Sequence, residues 1–236
     1  MGQTSDVRVV EAAEAVAGIR SGQQVYLHCA AATPSVLLDA LVERAPELRD
    51  VGVVHLHCEG PGPHLAPEMA PHFRHRALFI GPNARTAVNE GRADYVPVFL
   101  SDVPRLFDSG ALPLDAVFVN ATPPDRHGFC SLGTSVEAMH AAIRAAKTVI
   151  VQLNRSMPRT LGESFIHVND IDLAVEVDVP PYEHRTGDIG DVERRIGEHI
   201  ADLVPDGATL QLGIGAIPSA STTFLNKPER MSTHAE

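Results

Sequence analysis

Basic residues are scarce in this 236-residue chain: 19 lysines and arginines stand against 30 aspartates and glutamates, a formal net charge of -11. A field of that sign repels polyanions, so nucleic acid and anionic membrane are excluded as general partners, although a small anion could still bind where the local field is positive. Cysteine is also sparse. Cys29, Cys58 and Cys130 are odd in number and far apart, with no CxxC pair and no secretory leader, which argues against a disulfide framework and against structural zinc. No apolar run approaches the ~18 residues that a membrane-crossing helix needs. Internal repeats and low-complexity tracts are missing too. Together these absences describe a reducing, cytoplasmic protein.

What is present is the composition of a folded globular chain, 44% hydrophobic and 21% charged. The length suits one large or two modest domains, on a prior of ~150 residues each. Along the chain, apolar strand patterns alternate with helical ones. Strands are expected at 24–28, 51–57, 77–80, 95–100, 114–121 and 148–153, and helices at 11–22, 35–44, 84–91, 102–109 and 137–146. Such alternation specifies an α/β fold with a parallel sheet covered on both faces. A Pro-, Gly- and charge-rich stretch at 178–191 marks a linker, with a boundary near residue 185. Asp191 is expected to cap a further helix.

Histidine is concentrated in one region. His55, His57, His64, His72 and His75 accompany Cys58 and Glu59, but they lack the ordered pair-plus-pair spacing of a zinc site, and prolines 61, 63, 67 and 71 interrupt them. No metal is expected on that pattern. Arg74, Arg76, Arg85 and Arg92 give the same region positive charge.

Ligand-binding edges of parallel sheets lie at strand C-termini. Four loops there are candidates: the small-residue run at 29–34, the turn-rich 123–128, residues 154–162 with Arg155 and Arg159, and the glycine loop at 213–218. For the small-residue run a close-packed turn is the alternative, and for the arginines it is a pairing with structural carboxylates. The glycine loop, Gly213-Ile214-Gly215-Ala216-Ile217-Pro218, joins a short strand at 209–212 to a segment able to form a helix. Glycines admit close backbone approach and the helix start adds unpaired donors, so the loop is either an anion-binding turn or an ordinary tight one.

Several blocks settle the direction of the reading. LQLGIGAIP (210–218), HAE (234–236), EGRADYVPVFLSDVPRLF (90–107), PPDRHGFCSLGTSV (123–136) and MPRTLGESFIHVNDID (157–172) resemble, in order, the acetyl-CoA hydrolase/transferase family, with its 4-hydroxybutyrate CoA-transferase-like members among the class I CoA-transferases. The resemblance covers nearly the whole chain. It implies an open parallel-sheet CoA-transferase-like domain at 1–185, then the beginning of a second, similar domain at 186–236 that stays incomplete here. It places Glu236 at the catalytic glutamate, where family members have H-T-E. Gly213, Ile214, Gly215, Ala216 and Ile217 fall on the loop that faces coenzyme A, and the 154–162 loop on the substrate cleft. The implied activity is transfer of CoA between an acyl-CoA and a small carboxylic acid through a glutamyl-CoA thioester. Acyl-CoA is then a substrate and no cofactor is permanently bound. The alternatives are an acyl-CoA hydrolase, or a non-catalytic acyl-CoA or carboxylate binding half of a split or truncated enzyme. A homo-oligomer is expected, or a partner chain supplying the missing half.

Overall fold

The computed structural model describes residues 7–183, 188–213, 215–225 and 231–235. The chain divides into two compact units, Met1–Glu183 and His184–Glu236.

The first unit runs α1 (Ala12–Ala15), β1 (Gln24–Leu27), α2 (Ser35–Glu43), β2 (Val51–His55), β3 (Phe73–Ala77), α3 (Arg85–Asn89), β4 (Ala93–Tyr95), α4 (Val103–Asp108), β5 (Ala116–Ala121), β6 (Phe129–Ser131), α5 (Met139–Ala145), β7 (Thr148–Asn154), β8 (Phe165–His167) and β9 (Leu173–Val177). Seven of these strands form one sheet in the order β4-β3-β2-β1-β5-β7-β9. Every neighbouring pair is parallel. The chain steps outward from β1 to β4, then returns to the other side of β1 to continue with β5, β7 and β9. The strand order therefore reverses between β1 and β5, the place where open α/β sheets form a crevice.

Parallel strands need helices on both faces, so their sequences are apolar without alternation. β2 and β5 accordingly bury every residue. Val25, Leu27, Val53, Phe73, Phe118 and Ile150 share one face with α2, while Tyr26, Val117, Val119 and Val151 face Phe107 of α4 and Met139 of α5. Tyr26 and Phe107 meet edge to face, their rings 5.0 Å apart.

Within the first unit the structure departs from the sequence expectations in five places, one of them the strand expected at 95–100, which is the short Ala93–Tyr95. The first helix is a single turn, Ala12–Ala15, rather than 11–22; Val16 and Ile19 are still buried, reached by turns instead. The third strand is 73–77, not 77–80, because FRHRA alternates buried Phe73, His75 and Ala77 with half-exposed Arg74 and Arg76. Arg74 binds Asp94 of β4 on that outer face. β6 and β8 pair antiparallel, in a hairpin outside the main sheet. β9, unmarked in the sequence, extends the sheet, and Val9 adds a parallel bridge beside it at Ala174.

The second unit runs α6 (Asp191–Leu203), β10 (Thr209–Leu212), α7 (Ala216–Phe224) and β11 (Ser232–Ala235). Gly190 is the N-cap of α6 and Asp191 is its first residue, without a side-chain cap bond. β10 and β11 are parallel, so β10, α7 and β11 form a β-α-β unit. α6 crosses α7 at Gly197, where a Cβ would lie 2.9 Å from the Ala220 carbonyl carbon and 3.0 Å from the Ser221 nitrogen. Backbone cannot yield as a side-chain tip does. Gly197→Ala is therefore expected to destabilise the α6–α7 pair by about 1–3 kcal/mol. Hydrogen exchange read by mass spectrometry should quicken at α7 amides while the amides of β5 stay protected; equal protection of α7 in parent and variant would contradict the close crossing.

Candidate active site

The C-terminal edge of the seven-stranded sheet carries the loops that follow β1, β2, β5 and β7. Because all seven strands are parallel, these loops emerge on one side. Three of them contain the first-unit stretches read from the sequence, 29–34, 123–128 and 154–162, the last beginning on Asn154, the final residue of β7. The loop after β2, residues 56–62, is a fourth that the reading passed over; its signal was the Gly-Pro cluster directly after a buried strand.

The β1 and β2 loops are stitched together. Ala30 bridges to Cys58, its N–H donates to the His57 carbonyl at 2.8 Å, and the Thr33 hydroxyl donates to the Ala30 carbonyl at 2.7 Å. Thr33 in turn accepts from the Glu59 N–H at 3.3 Å. Ala30 sits at φ +50°, a left-handed conformation costing an L-residue about 1–2 kcal/mol, held by these bonds. Gly60, at φ +90°, lies against the Tyr182 ring in the space a Cβ would take. Asn83 closes the loop from below, donating to the carbonyls of Cys58 and Gly60.

His28, at the end of β1, is fully buried. Its Nε2 contacts the Ser135 carbonyl at 2.7 Å, an acceptor only, so Nε2 carries the proton. Nδ1 then accepts from the Asn120 N–H at 3.2 Å. Burial lowers its pKa to about 4, so this histidine is a neutral strut linking β1, β5 and the 133–137 segment. The thiols are equally inert. Burial pushes Cys29 up to about 12, and Cys58 and Cys130 up to about 11, which leaves no thiolate nucleophile at neutral pH.

Arg159 is committed to structure. It donates to Asp125 at 2.7 Å and to the Phe129 carbonyl at 3.2 Å, and its guanidinium lies 4.7 Å over the Phe165 ring. Asp125 also accepts from the Phe129 and His127 N–H groups, and these bonds, with Arg159, hold its carboxyl below the usual range. Of the two readings open for this arginine, the structural carboxylate pair is the one formed. Arg155 stands 4.0 Å from Glu176. Gln152 Oε1 accepts the Val36 N–H near the start of α2, and Asn154 brackets Val179 with both ends of its amide.

In the second unit Gly213 follows β10 directly, and Gly215 is the N-cap of α7 at φ +129°, a conformation that calls for glycine. Ala216 and Ile217 open the helix, and the first bond back along it is the Ser219 N–H to the Gly215 carbonyl at 3.1 Å. The N–H groups of Ala216 and Ile217 precede that bond and point with the positive end of the helix dipole. Ile214 and Glu236 lie outside the described residues. The β10–β11 register sets Gln211 opposite His234 and Leu212 opposite Ala235. The residues directly before Gly213 and directly before Glu236 are therefore ladder partners.

A surface hollow of about 420 Å³ lined by Phe107, Pro113, Arg144 and Lys147 lies before β5 and β7, at the opposite edge of the first sheet from these loops. Its cations are already paired, Arg144 with Asp108 and Lys147 with Asp115.

The profile of the acetyl-CoA hydrolase/transferase N-terminal domain matches residues 4–181. The chain belongs to the acetyl-CoA hydrolase/transferase family. It is 44% identical to the 4-hydroxybutyrate coenzyme A transferase of Clostridium kluyveri, across 97% of this chain and 53% of that protein. It is 43% identical to the succinyl-CoA:acetate/propanoyl-CoA:succinate CoA transferase of Fasciola hepatica, across 92% of this chain and 46% of the other. Among solved structures, RipA from Yersinia pestis superposes with a TM-score of 0.89 at 31% identity, covering 97% of this chain and 56% of RipA. The chain thus spans about half the length of the family members it matches. No helix among the described residues is long and apolar enough to cross a membrane.

Proposed function

We propose that this chain is the N-terminal part of a CoA-transferase that moves CoA from an acyl-CoA to a small carboxylic acid, with Glu236 as the covalent nucleophile. The observation that carries the reading is the parallel register of β10 and β11. Leu212 and Ala235 are ladder partners, and in the sequence Leu212 is followed directly by Gly213 of the glycine loop and Ala235 directly by Glu236. A carboxylate and a set of helix-start N–H donors at the C-terminal ends of paired parallel strands is what thioester exchange requires.

In this mechanism the Glu236 carboxylate attacks the thioester carbonyl. The tetrahedral oxyanion accepts hydrogen bonds from backbone N–H groups of the 213–217 loop, then collapses with loss of the CoA thiolate to leave a mixed anhydride. The thiolate attacks the glutamyl carbonyl, the acyl group departs as its carboxylate, and Glu236 is left as a glutamyl-CoA thioester. An incoming carboxylate reverses both steps and leaves as the new acyl-CoA. CoA is a substrate throughout, and no resident cofactor is required.

The second unit is proposed as the start of a second α/β domain. Its two-stranded sheet is below the three strands that usually stand alone. α6 also leaves Val192 and Leu203 exposed at 67% and 82%, an apolar face that further strands of such a domain would cover.

Trapping tests the reading. The full-length protein that carries this chain is incubated with acyl-CoA and then with borohydride, which reduces a glutamyl thioester to the alcohol. The mass change is expected on the peptide containing Glu236. Modification at Glu59 or Glu163 instead, or hydrolysis without any trapped thioester, would replace this mechanism.

A further inference from the structure

The histidine-rich stretch acquires a definite arrangement in three dimensions. His55 ends β2 and His75 is central in β3. The register sets His75 opposite Val53 and His55 opposite Ala77, so the two imidazoles stand on the same face of the sheet, one diagonal step apart. His64, in the short 3-10 turn Pro63–Leu65, drops onto them from the loop after β2. All three are buried, at 1%, 2% and 2% exposure, and the rings of His55 and His75 lie 4.3 Å apart.

Hydrogen bonding satisfies only half of each ring. His64 Nε2 and His75 Nδ1 share one bond at 3.0 Å, and His55 Nε2 contacts Cys58 Sγ at 3.4 Å. His55 Nδ1, His64 Nδ1 and His75 Nε2 have no partner. Three buried ring nitrogens without a partner are costly. An apolar trio of similar size would fill the space without that cost. One nitrogen from each ring falls within 4.8 Å of the others. A tetrahedral ion at bonds of about 2.0–2.1 Å sets its ligands roughly 3.3 Å apart, which small ring rotations can reach.

We propose that His55, His64 and His75 form a buried binding site for one divalent transition-metal ion of the imidazole-preferring kind, such as Zn²⁺, Co²⁺ or Ni²⁺. Imidazole nitrogens without carboxylates select against Mg²⁺ and Ca²⁺. The site ties β2, β3 and the 56–65 loop together by a clamp that spacing in the sequence does not show. His57, 4.0 Å from Glu59, and His72, bonded near Leu48, stand outside it.

The test uses untagged full-length protein stripped with chelator and dialysed against Zn²⁺ or Co²⁺. One ion per chain is expected, with the intense visible absorption of tetrahedral Co²⁺ and a higher Tm in the presence of Zn²⁺. His64→Gln and His75→Gln should lose the ion and the Co²⁺ spectrum, while His57→Gln and His72→Gln keep both. Failure of the stripped parent protein to take up either ion overturns the proposal, whatever the variants do. So does retention of the full Co²⁺ spectrum in a folded His64→Gln protein, with folding checked by circular dichroism.

Discussion

Glu236→Gln, made in the full-length protein, is expected to keep the fold and lower CoA transfer by about three orders of magnitude or more. The amide is isosteric with the carboxylate, so binding of acyl-CoA should change little. What it lacks is the nucleophilic oxygen anion: no anhydride forms, no glutamyl thioester follows, and exchange stops at the first covalent step. Steady-state exchange of labelled acetate into acyl-CoA gives kcat, and acyl-CoA binding measured separately shows whether the loss lies in chemistry. A kcat within a few-fold of the parent would remove Glu236 from the mechanism. Glu236→Asp is the informative companion, since it keeps the charge but draws it back by one methylene.

The largest expected effect on stability is at Phe118. This residue lies mid-way along β5, fully buried, opposite Leu27 of β1 and Ile150 of β7. Its ring fills the α2-side core where the strand order reverses. Phe118→Ala removes that buried ring from three adjacent strands at once, and a parallel sheet pinned by its register cannot close the gap. The expected cost is about 3–5 kcal/mol, a large share of the roughly 5–15 kcal/mol that holds a domain together. For a unit of this size that corresponds to a Tm lower by about 6–20 °C. Urea unfolding followed by circular dichroism should show the midpoint moving at nearly constant slope. A midpoint shift worth less than about 1 kcal/mol would mean that the core on that face repacks. Transfer activity per folded molecule should be retained, because the loops begin beyond the end of β5 at Ala121.

How far the sequence specified this protein differs from element to element. The parallel α/β class was legible because doubly buried strands such as 116–121 are apolar at every position, and apolar runs separated by helical periods permit few other folds. The blocks at 90–107, 123–136 and 157–172 carried the family, and the profile match over residues 4–181 bears that out. The glycine loop could be placed after a strand and before a helix from composition alone, because Gly215 holds a backbone angle that other residues avoid.

Other features depended on pairing between distant residues, which no local pattern encodes. FRHRA looks like a charged surface stretch until β2 and β4 pair with it; then Phe73, His75 and Ala77 turn inward and the arginines turn out. Arg159 could have served a substrate or a carboxylate, and only the fold brought Asp125, 34 positions away, to 2.7 Å. The three histidines illustrate the same point. Their spacing argued against a metal, because spacing tests only ligands carried by neighbouring turns. The β2–β3 register and the chain path through Pro63 brought His55, His64 and His75 together, a juxtaposition set by long-range pairing and burial and therefore decided by the tertiary structure alone.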